Sequence, residues 1–193
     1  MERVDSLLQG GIPAGKTSVF YGPPGSGKTL LALAAAKTFT ARGGVAYYLD
    51  TELKTSPDHV APAVYVEVAD VGHLLDTLLD ILKKVRRISP LLVIIDSLSA
   101  VMHSLVLNHP DYAREKMRSL AQFTRQLNDG MVTVLAISWN LGGYHGKYLN
   151  PSLVLRTSKH HQGFRIVVEY GEDMLTPVEE TVPIGEVLNV ALT

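Results

Sequence analysis

An α/β fold is predicted for this chain, with a mostly parallel twisted sheet flanked by helices and an antiparallel hairpin on its C-terminal side. Three observations predict it. Short apolar or β-branched runs alternate with helical patterns as far as Ser138. Two of those runs, LLVIID at Leu91 to Asp96 and VTVLAIS at Val132 to Ser138, are continuously apolar, as strands buried on both faces of a parallel sheet are. Beyond them SLVLRTS and FRIVVEY alternate in polarity around Gln162-Gly163, the pattern of an antiparallel pair. With 193 residues and 46% hydrophobic content the chain can bury one sizeable core, so 1–193 is expected to form a single domain.

The elements follow in order. TSVFY, Thr17 to Tyr21, reads as a strand that runs into a glycine-rich turn. Thr29 to Ala41 is rich in Leu and Ala, which suits a helix, and Gly43 and Gly44 end it. VAYYL (Val45 to Leu49) and VYVEV (Val64 to Val68) read as strands. Leu74, Leu75, Leu78, Leu79 and Leu82 share one helical face, with Asp76, Asp80, Lys83 and Lys84 away from it, and Pro90 closes that segment. A further helix is predicted near Asp111 to Leu127. Its basic residues Arg114, Lys116, Arg118 and Arg125 read as the solvated side of an amphipathic helix, with a polyanion-binding face as the alternative. Leu141 to Pro151 is a loop by its glycines.

Composition removes several classes of function. The formal net charge is −1, from 18 Lys+Arg against 19 Asp+Glu, so the chain as a whole is not a basic nucleic-acid binder. The absence of cysteine removes disulfides, thiolate metal sites and cysteine nucleophiles, and fits an intracellular setting. MERVDSLLQGG has no apolar signal region, and no apolar run approaches the ~20 residues of a spanning helix. A cytoplasmic protein with no membrane partner is expected. His160-His161 is a poor metal site, because adjacent strand residues point to opposite faces and no acid stands at ligand spacing.

The chemistry is concentrated at GPPGSGKT, which meets G-x-x-x-x-G-K-[ST] with Gly22, Gly27, Lys28 and Thr29. Glycines allow the backbone N–H groups to turn inward around phosphates, and the following helix aims its positive end at the same anion. The phosphate-binding set is Gly22, Pro23, Pro24, Gly25, Ser26, Gly27, Lys28, Thr29 and Leu30. Lys28 is placed to reach the β/γ phosphates of ATP, and the Thr29 hydroxyl to help hold Mg²⁺. Asp96, at the end of a buried strand, is the candidate second metal residue, against the alternative of a helix cap. Asp50 and Glu52 both follow VAYYL, and either one at that sheet edge could orient an attacking water.

The order of these motifs resembles the RecA/RadA-type P-loop ATPase core. The likeness is carried by VDSLLQGGIPAGKTSVFYGPPGSGKTLLAL, by YLDTE at Tyr48 to Glu52 and by LLVIIDSLSA at Leu91 to Ala100. Archaeal RadB-like recombinase paralogues are the nearest group it suggests, with KaiC-like single-domain ATPases as the alternative, since no N-terminal DNA-binding domain is expected ahead of Met1. The resemblance implies a RecA-like fold and a Mg-dependent ATPase acting in DNA recombination and repair. It makes Glu52 the catalytic carboxylate, with Lys28 beside it, and supports Asp96 and Thr29 at the metal. The alternative function is a nucleotide-dependent regulatory module working through protein partners, or an ATP-binding scaffold with negligible turnover.

Two departures from that family stand out. Trp139-Asn140 occupies the place of an Asn-Gln pair, leaving Asn140 as the candidate γ-phosphate sensor. Leu53 to His59 lacks the arginine often found near the adenine, where His59 is a solvated loop residue or a stacking partner. The loop Leu141 to Pro151 corresponds to a DNA-binding loop; Tyr144, Lys147 and Tyr148, with His145, offer aromatic faces beside cations for single-stranded DNA. Arg156 and Lys159, with Arg165, are implied as contacts to a neighbouring subunit's nucleotide in a homo-oligomer or a hetero-assembly with a recombinase. No F-x-x-A polymerisation segment is present.

Overall fold

The computed structural model describes residues 11–85, 90–140, 148–171 and 178–191. The elements are β1 (Thr17–Tyr21), α1 (Lys28–Ala41), β2 (Val45–Asp50), α2 (Pro57–Val60), β3 (Val64–Glu67), α3 (Val71–Lys84), β4 (Leu91–Asp96), α4 (Leu98–Asn108), α5 (Pro110–Asp129), β5 (Thr133–Ser138), β6 (Leu153–His160), β7 (Gly163–Gly171), β8 (Val178–Pro183) and α6 (Ile184–Ala191). The strands form one sheet in the order β3-β2-β4-β5-β1-β6-β7-β8. Neighbours from β3 to β6 are parallel, whereas β6–β7 and β7–β8 are antiparallel. The predicted α/β class with its C-terminal hairpin is what the chain adopts.

Two cores lie on the two faces of the sheet. One joins Leu31 to Ala36 of α1 with Phe20, Tyr48, Ile94 and Leu135 below and Val187 of α6 above. Contact with both the sheet and α6 accounts for the Leu/Ala composition of α1, which is apolar nearly all round rather than on one stripe. The other core joins α3, α4 and α5 to Val19, Leu49, Val93, Ile95 and Val134. In α3 the buried face is Val71, Leu74, Leu75, Leu78 and Ile81, each worth about 1.5–3 kcal/mol relative to exposure. Leu79, predicted on that face, is 38% exposed, because the stripe passes through Ile81 instead.

Helix starts follow local chemistry. The Asp70 side chain accepts from His73 N at 2.9 Å to cap α3, and Ser97 Oγ accepts from Ala100 N at 3.2 Å to cap α4. Pro110 opens α5 at a position that needs no N–H donor. The peptides Ala61–Pro62 and Asp96–Ser97 are cis. The sequence reading did not anticipate α2, which takes in His59, nor α4, β8 or α6. LSAVMHSLVLN lacks a clear polar face, and the edge strand VEETVP carries two glutamates where alternation would have announced it. Among the described residues no helix is long and apolar enough to cross a membrane.

Candidate functional site

The loop between β1 and α1 lies where the parallel strands end. Gly27, at the N-cap of α1, has φ 88°, and no side chain caps the helix there. Its first-turn N–H groups are therefore available to an anion. The glycines are required by close approach as well as by φ. A Cβ on Gly22 would stand 2.1 Å from Thr157 O, and one on Gly27 would stand 2.7 Å from the Phe164 ring. Ser26 and Thr157 join their hydroxyls at 2.7 Å, so β6 forms one wall of the loop.

Lys28 is buried within this loop. Its ammonium donates to Gly22 O at 2.7 Å, to Pro23 O at 2.8 Å and to Ser26 Oγ at 3.4 Å. Burial pulls its pKa down, while the nearby Asp96 and Glu52 carboxylates push it back up. Thr29 hydrogen-bonds the Asp96 side chain, and Tyr48 Oη donates to Asp96 Oδ2 at 2.5 Å. Burial raises the Asp96 carboxyl above the ordinary aspartate range; those two hydroxyls oppose the rise, and Glu52 and Asp50 add to it. Burial and the Asp96 carboxylate together push the Tyr48 phenol up.

The structure separates the two acids that the sequence left side by side. Asp50 folds the segment after β2. Its Oδ1 accepts from Glu52 N (3.0 Å) and Leu53 N (2.8 Å). Its Oδ2 accepts from Lys54 N (3.0 Å), Thr55 N (2.9 Å) and Tyr65 Oη (3.1 Å). Leu53 turns at φ 55° within this wrap. The result presents Glu52 toward β4 and β5. Glu52 Oε1 accepts from Ser97 Oγ at 2.8 Å and from Trp139 Nε1 at 3.2 Å, and Oε2 accepts from Lys54 Nζ at 2.6 Å. Burial works to raise the Glu52 pKa, but the bonds from Lys54, Ser97 and Trp139 outweigh it and hold the carboxyl low.

Hydrogen bonds tie the ends of β1, β2, β4 and β5 together. Thr51 Oγ1 donates to Ser97 O (2.6 Å) and accepts from Ser97 N (2.8 Å). The Ser99 and Ser138 hydroxyls meet at 2.9 Å, Trp139 N donates to Ser99 Oγ at 2.9 Å, and Gly22 N donates to Ser138 O at 3.3 Å. Trp139, with its ring tilted against His103 at 5.4 Å, reads from sequence only as the residue ahead of Asn140, and its bond to Glu52 is what sequence reasoning missed. Nothing local marks that bond, since β5 brings Trp139 to Glu52 across a separation of 87 positions.

The other sequence candidates are placed as follows. Pro23, Pro24 and Gly25 form the exposed crown of the loop, and Leu30 is half-buried behind it. Asn140 is exposed, with its carbonyl accepting from Ser138 Oγ. Tyr148 is half-buried against the second core, while Tyr144, His145 and Lys147 lie outside the described residues. Arg156 pairs with Glu169 at 2.8 Å within its own chain. Tyr21 Oη donates to the same carboxylate at 2.5 Å, and burial together with that bond pushes the phenol up to about 12. Lys159 crosses over the phosphate loop of its own chain, with Cε and Nζ 3.1 and 3.4 Å from where a Gly25 Cβ would stand. Arg165 pairs with Glu179 at 2.5 Å. His59 is exposed, and the His160 and His161 rings lie 4.0 Å apart. On α5, Arg114 pairs with Asp111 and Lys116 sits over the Tyr112 ring.

A strand, a glycine loop that holds a lysine, a helix and two acids at parallel strand ends define a P-loop nucleotide-binding domain. The chain belongs to the ATPase family associated with various cellular activities (AAA), whose family model matches residues 18–143. It is similar to the DNA repair and recombination protein RadB of Halobacterium salinarum, 51% identical over 49 residues, which are 25% of this chain and 21% of that protein. A RadB of Methanosphaera stadtmanae is 53% identical over 49 residues, again 25% and 21%. Protein RecA of Mycoplasma mobile is 30% identical over 141 residues, 66% of this chain and 42% of that protein. The chain thus spans about a fifth to two fifths of these curated relatives. The matches bear out the resemblance read from the order of the motifs.

Proposed function

We propose that this chain binds ATP with Mg²⁺ at Gly22 to Thr29 and hydrolyses it slowly, in the service of DNA recombination and repair. One observation carries the reading: Lys28, Thr29, Asp96 and Glu52, drawn from three separate stretches of sequence, converge at the ends of β1, β2 and β4. The names of the RadB and RecA relatives supply the cellular setting.

The donor set fits Mg²⁺. Thr29 and Asp96 offer oxygens only, and among the described residues no group of three or more His, Cys, Asp or Glu could hold a metal. That is too few ligands for an all-protein cage and suits an ion shared with substrate phosphates. Asp96 gains from such a cation, since its carboxylate is buried with few donors. Bound there, Mg²⁺ would offset the charge on the phosphate oxygens.

The protein's own groups do the rest. Lys28 exchanges its carbonyl acceptors at Gly22 and Pro23 for phosphate oxygens, and the N–H groups at the start of α1 cradle the same charge. Glu52 takes a proton from water as its oxygen bonds to the γ-phosphorus and the bond to the ADP oxygen breaks, releasing ADP and phosphate. Three donors hold Glu52 and lower its basicity, and this favours slow turnover. Single-stranded DNA at the loop before β6, and assembly with further copies or a recombinase, complete the proposal.

Steady-state ATP hydrolysis with and without single-stranded DNA, at low and moderate salt, tests it, with Lys28→Ala as the blank. Turnover that DNA raises and salt suppresses is expected, with none in the blank. Turnover indifferent to DNA, with no DNA bound, would move the chain to a nucleotide-dependent module that acts through protein partners.

A further inference from the structure

We propose that Lys159 is a phosphate-binding residue of its own chain's loop, a second cation for the terminal phosphates of a nucleoside triphosphate. The inference rests on the nucleotide reading above and adds a residue to it.

The placement follows from strand register. β6 runs parallel to β1 and pairs Arg156 with Tyr21, the last residue of β1. Where β1 gives way to the loop, β6 continues straight on, so residues 157–160 run beside Gly22 to Ser26. Side chains alternate along a strand, which puts Thr157 and Lys159 on one side and Arg156 and Ser158 on the other. Thr157 makes the loop contacts directly, through Ser26 Oγ at 2.7 Å and against Gly22. Lys159, two residues on, reaches across the crown at Gly25.

The two neighbouring cations are already engaged. Lys28 is held inside the loop by Gly22 O, Pro23 O and Ser26 Oγ, and Arg156 is paired with Glu169. Lys159 is exposed and makes no ion pair with any described residue. Its ammonium therefore approaches the loop from outside while Lys28 approaches from within. A triphosphate placed on the loop N–H groups would meet both, whereas a monophosphate has too little charge to hold the outer one. This geometry sets Lys159 against its own chain's nucleotide, in place of the neighbouring-subunit contact that the family resemblance implied.

The test compares the wild-type chain with Lys159→Ala and Lys159→Arg, titrating ATP, ADP and AMP and following thermal melting. Lys159→Ala is expected to weaken ATP binding roughly tenfold, the loss of one charge-assisted hydrogen bond, and to leave AMP binding within about twofold. Lys159→Arg should restore most of the ATP affinity, and the ligand-free melting temperature should be the same in all three. Equal ATP affinity in wild type and Lys159→Ala overturns the inference while leaving the nucleotide site standing. A wild-type chain that binds none of the three overturns the nucleotide reading and this inference with it. Mixing Lys28→Ala with Lys159→Ala separates the two geometries. A lysine acting within its own chain gives no recovery of turnover, and recovery would show that Lys159 serves a neighbour.

Discussion

The ends of β2 and β4 carry neighbouring aspartates, Asp50 opposite Asp96 in register, at 1% and 5% exposure. Their surroundings differ. Asp50 receives four backbone N–H groups and the Tyr65 phenol, which orient the segment from Glu52 to Thr55. Asp96 receives two hydroxyls, from Tyr48 and Thr29, and its carboxyl is pushed up. Burial is common to both and distinguishes nothing; the supply of donors does. An acid whose oxygens are filled by its own loop is architecture. An acid left short of positive charge, beside a loop that binds anions, is suited to receive a cation.

The comparison would break first at Asp50. In Asp50→Asn an NH₂ group must face some of the N–H donors that the carboxylate accepted, leaving buried groups unpaired at about 1–3 kcal/mol each. A melting temperature lower by about 10 °C is expected, with loss of turnover as Glu52 loses its support. A variant that melts like wild type would deny Asp50 its structural role.

Asp96→Asn should do the reverse, abolishing Mg-dependent turnover while the protein melts a few degrees higher in EDTA at pH 7. The sign follows from linkage. The folded state holds its proton on Asp96 more tightly than the unfolded chain does, so wild-type stability falls as pH rises from the ordinary aspartate range through the raised folded value. The advantage of the variant should grow as pH rises through that interval and vanish below the ordinary aspartate range. Calorimetry at several pH values reads it, and a variant less stable than wild type at pH 7 would count against a charge-starved site.

The smallest effect is expected at Trp139→Phe, which removes one donor from Glu52. Its carboxyl should rise toward the ordinary glutamate value. The acid limb of the pH–rate profile then moves upward, with kcat changed less than about threefold at neutral pH. An unmoved limb would mean that the indole contact has no hold on the base.

Much of this was legible in sequence because it is local. Strand, glycine loop and helix follow one another within Thr17 to Ala41, and LLVIID announces a buried strand that ends in an acid. The choice between Asp50 and Glu52 was not legible from the residues alone. Both are acids two positions apart, and the turn at Leu53 that sends them to different tasks has no signature of its own. Trp139 at Glu52 and Lys159 at Gly25 were hidden for another reason. Sheet order puts β4 beside β2, β5 beside β4 and β6 beside β1, and no spacing along the chain records which strands are neighbours.

The approach of Thr157 and Phe164 to Gly22 and Gly27 carries a consequence for the order of synthesis. A growing chain that has passed α1 already holds the whole glycine motif, while one wall of the loop and the ring against Gly27 are still unmade. The loop acquires its full surroundings only when β6 has closed beside β1 and β7 beside β6. Readiness to take up nucleotide thereby marks a chain folded nearly to its last strands, and a fragment ending at β5 would carry the motif without its setting.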